Sequence, residues 1–291
     1  MLFPIIPGDQ LDIKVISPLA HGGHSFVFKV STNRGTGVLK IFRFPNGRDG
    51  EIPEVPDPYL YFNREVEAYS RLIEQGATFC PRVISTVLIS AKEEQSLRAH
   101  MKTYWIHLYR RGLKATQEEL PLKALLMELV NGERLTGLDL LSDSILQEEL
   151  RRAVEEMHAC GVAWRDAKWR NILVRSSTTE STAQSDSDSN RVLREAQTKC
   201  LTLLDYSNAC CQPPLKYVEE EIPSAATTKE EWETIRRNEY EVVQHMIKFG
   251  RVGCVTILQR CLRPSNIYCE QVPKSSTNNT AAQEQHTAEV S

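Results

Sequence analysis

Apolar positions fall in short β-type runs over the first part of the chain and at helical spacing further on. Leu11–Pro18 reads as a strand, and within Leu19–Lys29 a turn of small residues separates two β-type runs. Gly37–Phe42 is the next strand, and Phe44–Pro58, with Pro45, Pro53, Pro56 and Pro58, is an irregular insertion. In Tyr59–Gln75 the residues Phe62, Val66, Tyr69 and Leu72–Ile73 recur at helical spacing, and Gly76 follows as a helix stop. Cys80–Ser90 reads as a strand. Ala91–Pro121 is charged and ambiguous, with one strand candidate at Thr103–Tyr109. Ala124–Gly132 is a buried strand ending in a turn. A helix capped by Ser142 or Asp143 runs to Cys160, burying Ile145–Leu146, Leu150, Ala153–Val154 and Met157, and Gly161 can end it. A polar loop then leads into the strand Ile172–Val174.

The polar stretch Ser176–Asn190 has few apolar residues and reads as a flexible loop. Leu201–Ser207 is an apolar strand that ends in Asp205. Thr228-Lys229-Glu230-Glu231 has the form of a capping box for a helix to Phe249, closed by Gly250, with Trp232, Ile235, Val242–Val243 and Met246 inward. A short helix is expected at about Val252–Leu262, and Arg263–Ser291 is polar and expected to be disordered.

Composition narrows the classes. Hydrophobic residues are 41% of the 291, enough for a sizeable core. A net charge of −3 does not suggest a nucleic-acid surface. The eight cysteines include no C-x-x-C pair and no zinc-type His/Cys spacing. The adjacent Cys210 and Cys211 suit neither a disulfide framework nor a metal site, so reduced thiols and an intracellular location, cytoplasmic or nuclear, are expected. The start of the chain lacks the pattern of a secretory signal. No apolar run approaches the roughly 18 residues of a membrane-crossing helix.

The chemistry gathers in Ala163–Val174, A-W-R-D-A-K-W-R-N-I-L-V. A helix, a polar loop and a strand would present Asp166, Lys168 and Asn171 at one edge. A carboxylate can accept a hydroxyl proton, a lysine can neutralise a moving phosphoryl group, and an amide oxygen can ligate Mg²⁺. The stretch resembles the protein-kinase catalytic loop H-R-D-L-x-x-x-N, with Trp164 in place of His and Ala167 in place of Leu. Other segments resemble the same family in its order. Ala20, Gly22 and Ser25 stand at the three places of the glycine-rich loop, followed by Val27. Lys40 falls where the V-A-I-K lysine falls. Glu65 resembles the glutamate of the αC helix, with Glu67 as the competing candidate. Ala124–Gly132 resembles the hinge between the lobes, and Asp205-Tyr206-Ser207 resembles D-F-G with two substitutions.

The resemblance covers roughly Leu11–Ser207 and implies an α+β, two-lobed protein-kinase-like fold. The small antiparallel-sheet lobe would be about 1–130, the mainly helical lobe about 131–262, and the tail 263–291. It implies ATP and Mg²⁺ as cofactors. Lys40 would hold the α- and β-phosphates and Glu65 would orient Lys40. Ala20, Gly22, Ser25, Val27, the gatekeeper Met127 and backbone near Glu128–Val130 would surround the nucleotide. Asn171 and Asp205 would bind the metal, Asp166 would position the acceptor hydroxyl, and Lys168 would stabilise the transferring phosphate. Lys168 is similar to the lysine of the serine/threonine kinases, which implies a protein acceptor. The short region after Asp205 leaves an aminoglycoside- or choline-kinase style of small-molecule acceptor open. Ala20, Ser25, Trp164 and Ser207 leave open a nucleotide-binding pseudokinase that acts as an interaction module.

Overall fold

The computed structural model describes residues 3–21, 24–42, 44, 59–100, 120–177, 198–212, 214–217 and 228–250. The readings made for 45–58, Thr103–Tyr109, most of Ser176–Asn190, Val252–Leu262, the 263–291 tail and Gly22 lie outside those residues. The fold is mixed α+β: an N-terminal six-stranded sheet with a helix against it, then helices and two small sheets.

The large sheet holds β1 (Ile5–Pro7), β2 (Lys14–His21), β3 (Ser25–Thr32), β4 (Gly35–Phe42), β5 (Val83–Ile89) and β6 (Leu122–Met127). Their order across it is β1-β5-β6-β4-β3-β2, antiparallel throughout except for β1 on β5. Side-chain alternation gives the sheet two faces. Phe26, Phe28, Val30, Leu39, Ile41, Val87 and Leu126 pack into one core. Phe42, Leu125 and Met127 belong to a second core on the other face, shared with α1 (Leu60–Glu74). Phe62, Val66, Tyr69 and Leu72 of the stripe read from the sequence are buried there, Ile73 is partly buried against them, and Phe42 meets Phe62 edge to face at 5.6 Å. Gly76 ends the helix at φ +74, the left-handed conformation that lets the chain turn away without a Cβ clash.

The second core continues without a break into the rest of the chain. It takes in residues of α3 (Gly137–Ser142), α4 (Ser144–Ala159), β9 (Ile172–Ser177), β10 (Thr198–Leu203) and α5 (Lys229–Phe249). α2 (Ala91–Arg98) follows β5, β7 (Glu133–Arg134) pairs with β9, and β8 (Val162–Ala163) pairs with β11 (Cys210–Cys211). The helix expected to be capped by Ser142 or Asp143 and to run to Cys160 is α4, and Asp143 is its cap: Asp143 Oδ1 accepts the N–H groups of Ile145 and Leu146 at 3.0 and 3.2 Å. Ser142 instead closes α3, a short helix that the sequence reading lacked. Ile145, expected inward, is 60% exposed. α2 was hidden in the ambiguous segment, although Ser90 and Glu93 form a full capping box before it. The Thr228–Glu231 box and Gly250 bound α5 as the sequence predicts. Ile235 is only partly buried. Cys210 and Cys211 form their short strand as buried thiols that are not joined in a disulfide. Among the described residues no helix is long and apolar enough to cross a membrane.

Candidate active site

Sheet register places several of the candidate residues on one face. Ala20 is opposite Val27, Val27 opposite Lys40, and Lys40 opposite Leu125. Val38 is opposite Met127 on the same face. Directly paired residues share a face, so an apolar floor of Val27, Val38 and Met127 adjoins the Lys40 ammonium. Gly37 approaches the partner strand so closely that a Cβ there would lie 2.8 Å from the Met127 carbonyl.

Lys40 is 4% exposed, a cost that only pairing can offset. Its Nζ lies 2.8 and 2.6 Å from the two Glu65 oxygens and 2.8 Å from Asp205 Oδ1. Glu65 comes from α1, and Asp205 from the turn after β10. Burial pushes the Glu65 carboxyl up to about 7, against the pull of Lys40. For Lys40, burial works to lower the pKa, and the Asp205 and Glu65 carboxylates outweigh it and raise it. For Asp205, burial works upward, and the Lys40 charge and hydrogen bond with the Ser207 hydroxyl hold it below its ordinary value. Lys40 thus remains a cation between two acids. Glu67, the competing candidate, is equally buried but faces elsewhere: residues two apart lie roughly 200° apart around a helix. It pairs with Arg71 at 2.8 Å.

The loop Arg165–Arg170 lies between β8 and β9. Asp166 and Asn171 are both buried, and Asn171 Nδ2 donates to Asp166 Oδ2 at 2.9 Å and to its carbonyl at 3.1 Å. Lys168 Nζ pairs with Asp166 Oδ1 while its side chain stays partly exposed. The main chain ties this loop to the Asp205 turn: Leu204 N–H donates to the Asn171 carbonyl at 2.8 Å. Trp164 is fully buried, and its indole N–H donates to the carbonyls of Leu204 at 2.9 Å and Asp205 at 3.1 Å. Trp164 packs against Tyr206 with ring centroids 6.4 Å apart, so the bulky residue is accommodated.

Glu239 of α5 was not foreseen. Its buried carboxylate accepts the main-chain N–H groups of Trp164, at 3.0 Å, and of Arg165, and lies 2.7 Å from His158 Nε2. Arg165 has φ +62 and Asp205 has φ +64, conformations that non-glycine residues rarely adopt and that surrounding bonds must hold. The only signal for Glu239 in the sequence was a charge among the inward positions of a helix. His24 was also missed: its Nδ1 is 3.2 Å from Ser207 Oγ, and its ring stacks on Tyr61 at 3.9 Å. Ser207, in the place of a glycine, donates to Asp205 Oδ1 at 2.7 Å.

The structure brings Lys40, Glu65 and Asp205 into contact, and Asp166, Lys168 and Asn171 into a second group joined to the first through Leu204. Ala20 is exposed on β2, and Ser25 is buried at the start of β3. Glu128 and Val130 are half-buried beyond β6. The Glu128 N–H is already donated to the Arg82 carbonyl at 3.0 Å, which removes one main-chain donor from the expected adenine edge. Among the described residues no group of three or more His, Cys, Asp or Glu could hold a metal by itself. Magnesium needs only one or two protein oxygens when phosphate oxygens complete its shell. Asp205 and the Asn171 amide oxygen are hard donors of that kind, on adjoining turns.

No curated protein matches the chain. A family model, described as kinetochore Sim4 complex subunit FTA2, matches residues 1–176. The match spans Lys40, Glu65, Asp166 and Asn171 and stops before Asp205 and Glu239. It covers more than half of the sequence, so the chain belongs to the family of kinetochore Sim4 complex subunit FTA2.

Proposed function

We propose that the chain is an ATP- and Mg²⁺-dependent phosphotransferase of two-lobed, protein-kinase-like fold that delivers the γ-phosphate to a Ser or Thr hydroxyl of a protein. The observation that carries this reading is the buried Lys40 ammonium held between Glu65 and Asp205 from three separate elements. Such a cation is costly to bury unpaired, and a magnesium-bound triphosphate is ligand chemistry that this set suits, since the ammonium would meet phosphate oxygens and the Asp205 carboxylate the metal. The family is a divergent kinase-like one, which agrees with that reading.

In this reading Lys40 binds and orients the α- and β-phosphates, and Glu65 fixes the ammonium. Val27, Val38 and Met127 exclude water on the adenine side. Asp205 and Asn171 would hold Mg²⁺, which supplies charge neutralisation at the phosphates. Asp166, fixed by Asn171, aligns the acceptor hydroxyl and accepts its proton. Lys168 reaches from Asp166 toward solvent, where the transferring phosphate would sit. Catalysis then rests on positioning and fixed charge rather than on covalent chemistry. Family membership supports protein partners and a nuclear, centromeric location.

A second reading follows from the family's description as a complex subunit: the site binds nucleotide to stabilise an interaction module and transfers nothing. Titration with Mg·ATP, read by thermal midpoint, tests what both readings share. Wild type should be stabilised, and Lys40→Met and Asp205→Asn should lose the response. An equal response in all three would overturn nucleotide binding at this site. Phosphate transfer then separates the two readings.

A further inference from the structure

Glu67 and Arg71 form a second buried charge system on α1, on the side away from Lys40. Both are nearly or fully buried, and Arg71 Nε lies 2.8 Å from Glu67 Oε1. Glu67 also accepts two main-chain N–H groups from the segment beyond β11: Lys216 at 2.9 Å and Tyr217 at 2.7 Å. The Arg71 guanidinium reaches two carbonyls, Pro214 at 2.8 Å and Gly161 at 3.3 Å. Gly161 is the turn between α4 and β8, and it leads directly into the Asp166 loop. Its carbonyl accepts Gln212 N–H at 2.8 Å, and at φ +73 a Cβ would lie 2.9 Å from Arg71 Nη1.

One helix is therefore fastened on two sides. Glu65 ties it to Lys40 and, through Lys40, to Asp205. Glu67 and Arg71 tie it to the turn before the Asp166 loop and to the segment after Asp205. In many switchable proteins an added phosphate provides charge that orders such a segment. Here a carboxylate and a guanidinium, both inside the protein, bond to the main chain of such a segment themselves.

We propose that Glu67 and Arg71 are positioning residues. They lock α1 to the 214–217 segment, so that Lys40, Glu65 and Asp205 are assembled in the unmodified chain without an added phosphate. The consequence for phosphate transfer rests on the function proposed above, whereas the coupling between the two ends of the lock does not.

The experiment uses full-length wild type, Glu67→Gln and Arg71→Lys, each confirmed by mass to carry no phosphate. Hydrogen exchange is followed at the amides of Leu203 and Leu204, beside Asp205, and of Lys216 and Tyr217. Transfer from ATP is measured in parallel. Both variants keep side-chain bulk, and Arg71→Lys also keeps the charge, so a general failure to fold in one leaves the other to report. Exchange should rise at both pairs of amides, and kcat should fall by roughly tenfold or more with KM for ATP changed less than about threefold. Faster exchange confined to Lys216 and Tyr217 would overturn the lock. So would wild type that transfers phosphate only after being phosphorylated itself. If exchange rises at both pairs while wild type transfers nothing, the lock stands and the transferase reading falls.

Discussion

Trp164 donates its indole N–H to the carbonyls of Leu204 and Asp205, at 2.9 and 3.1 Å, from a fully buried position. The bond joins the Asp166 loop to the Asp205 turn and helps hold Asp205 at positive φ. Trp164→Phe removes the donor and leaves two inward carbonyls short of a partner. The expected cost is about 2–4 kcal/mol, from the orphaned acceptors and the lost volume. Urea unfolding checks this. A midpoint within error of wild type would show that the bond holds nothing in place.

Glu239 serves the same loop from α5. Removing its carboxylate strands the N–H groups of Trp164 and Arg165 and the His158 ring. Glu239→Ala is expected to cost about 3–5 kcal/mol, the range for breaking a buried charged network at one partner. It should also reduce phosphate transfer more than Mg·ATP binding, because the Asp166 loop lies nearer to it than the Lys40 side. Equal losses in both would point to a general collapse rather than a displaced loop.

The raised Glu65 carboxyl makes stability depend on pH. Its folded pKa, about 7, stands above the ordinary 4.5, so the folded state binds this proton more tightly than the unfolded state. The contribution is fully present below about 4.5 and is lost as pH rises through about 7. Over that window the loss is on the order of 3 kcal/mol for an isolated group. Glu65→Gln removes the titration. The stability difference, wild type minus variant, should therefore decline between about pH 5 and about pH 8 in chemical unfolding. A difference that is flat or rises with pH would contradict the assignment.

Thiol reactivity gives an independent check on the packing. Burial pushes Cys80 up to about 12 and raises Cys160 and Cys211 as well. At about pH 8 the native protein should alkylate at Cys80 slower than the unfolded chain by roughly a hundredfold or more. Cys211, inside the short strand opposite Val162, should be similarly protected. Peptide mapping after a timed alkylation reads each site, and rapid native labelling of Cys80 or Cys211 would show that this region opens.

Local signals carried far in this chain. The α5 boundaries were legible because Thr228, Glu231 and Gly250 are chemical punctuation that acts within one turn. The Lys40–Glu65 pairing was legible because a lysine inside an apolar strand needs an acid, and Glu65 lies beside the buried stripe of α1. The start of α4 was legible because Asp143 is a capping residue and accepts two N–H groups there. The six-residue α3 before it was not, since Leu140 is its one buried residue and gives no stripe to read. α2 carried its capping box in plain view, but its charged surface gave no apolar stripe to read. Glu239, Glu67 and Arg71 bond to main-chain groups far away in sequence, and no local pattern encodes such partners. Ile145 shows the same limit in reverse: it is apolar and lies in the first turn of α4, yet it is exposed, because packing of the whole helix decides which face is buried.

Under the proposed function these residues move a phosphoryl group. The most direct test is transfer of labelled γ-phosphate from ATP with Mg²⁺ by purified wild type and Asp166→Ala, onto generic protein acceptors and onto the chain itself. Transfer by wild type, loss of transfer by at least about a hundredfold in Asp166→Ala, and Mg·ATP stabilisation retained in both are the expected results. Mg·ATP binding by both proteins without transfer by either would contradict the transferase and leave a nucleotide-binding interaction module.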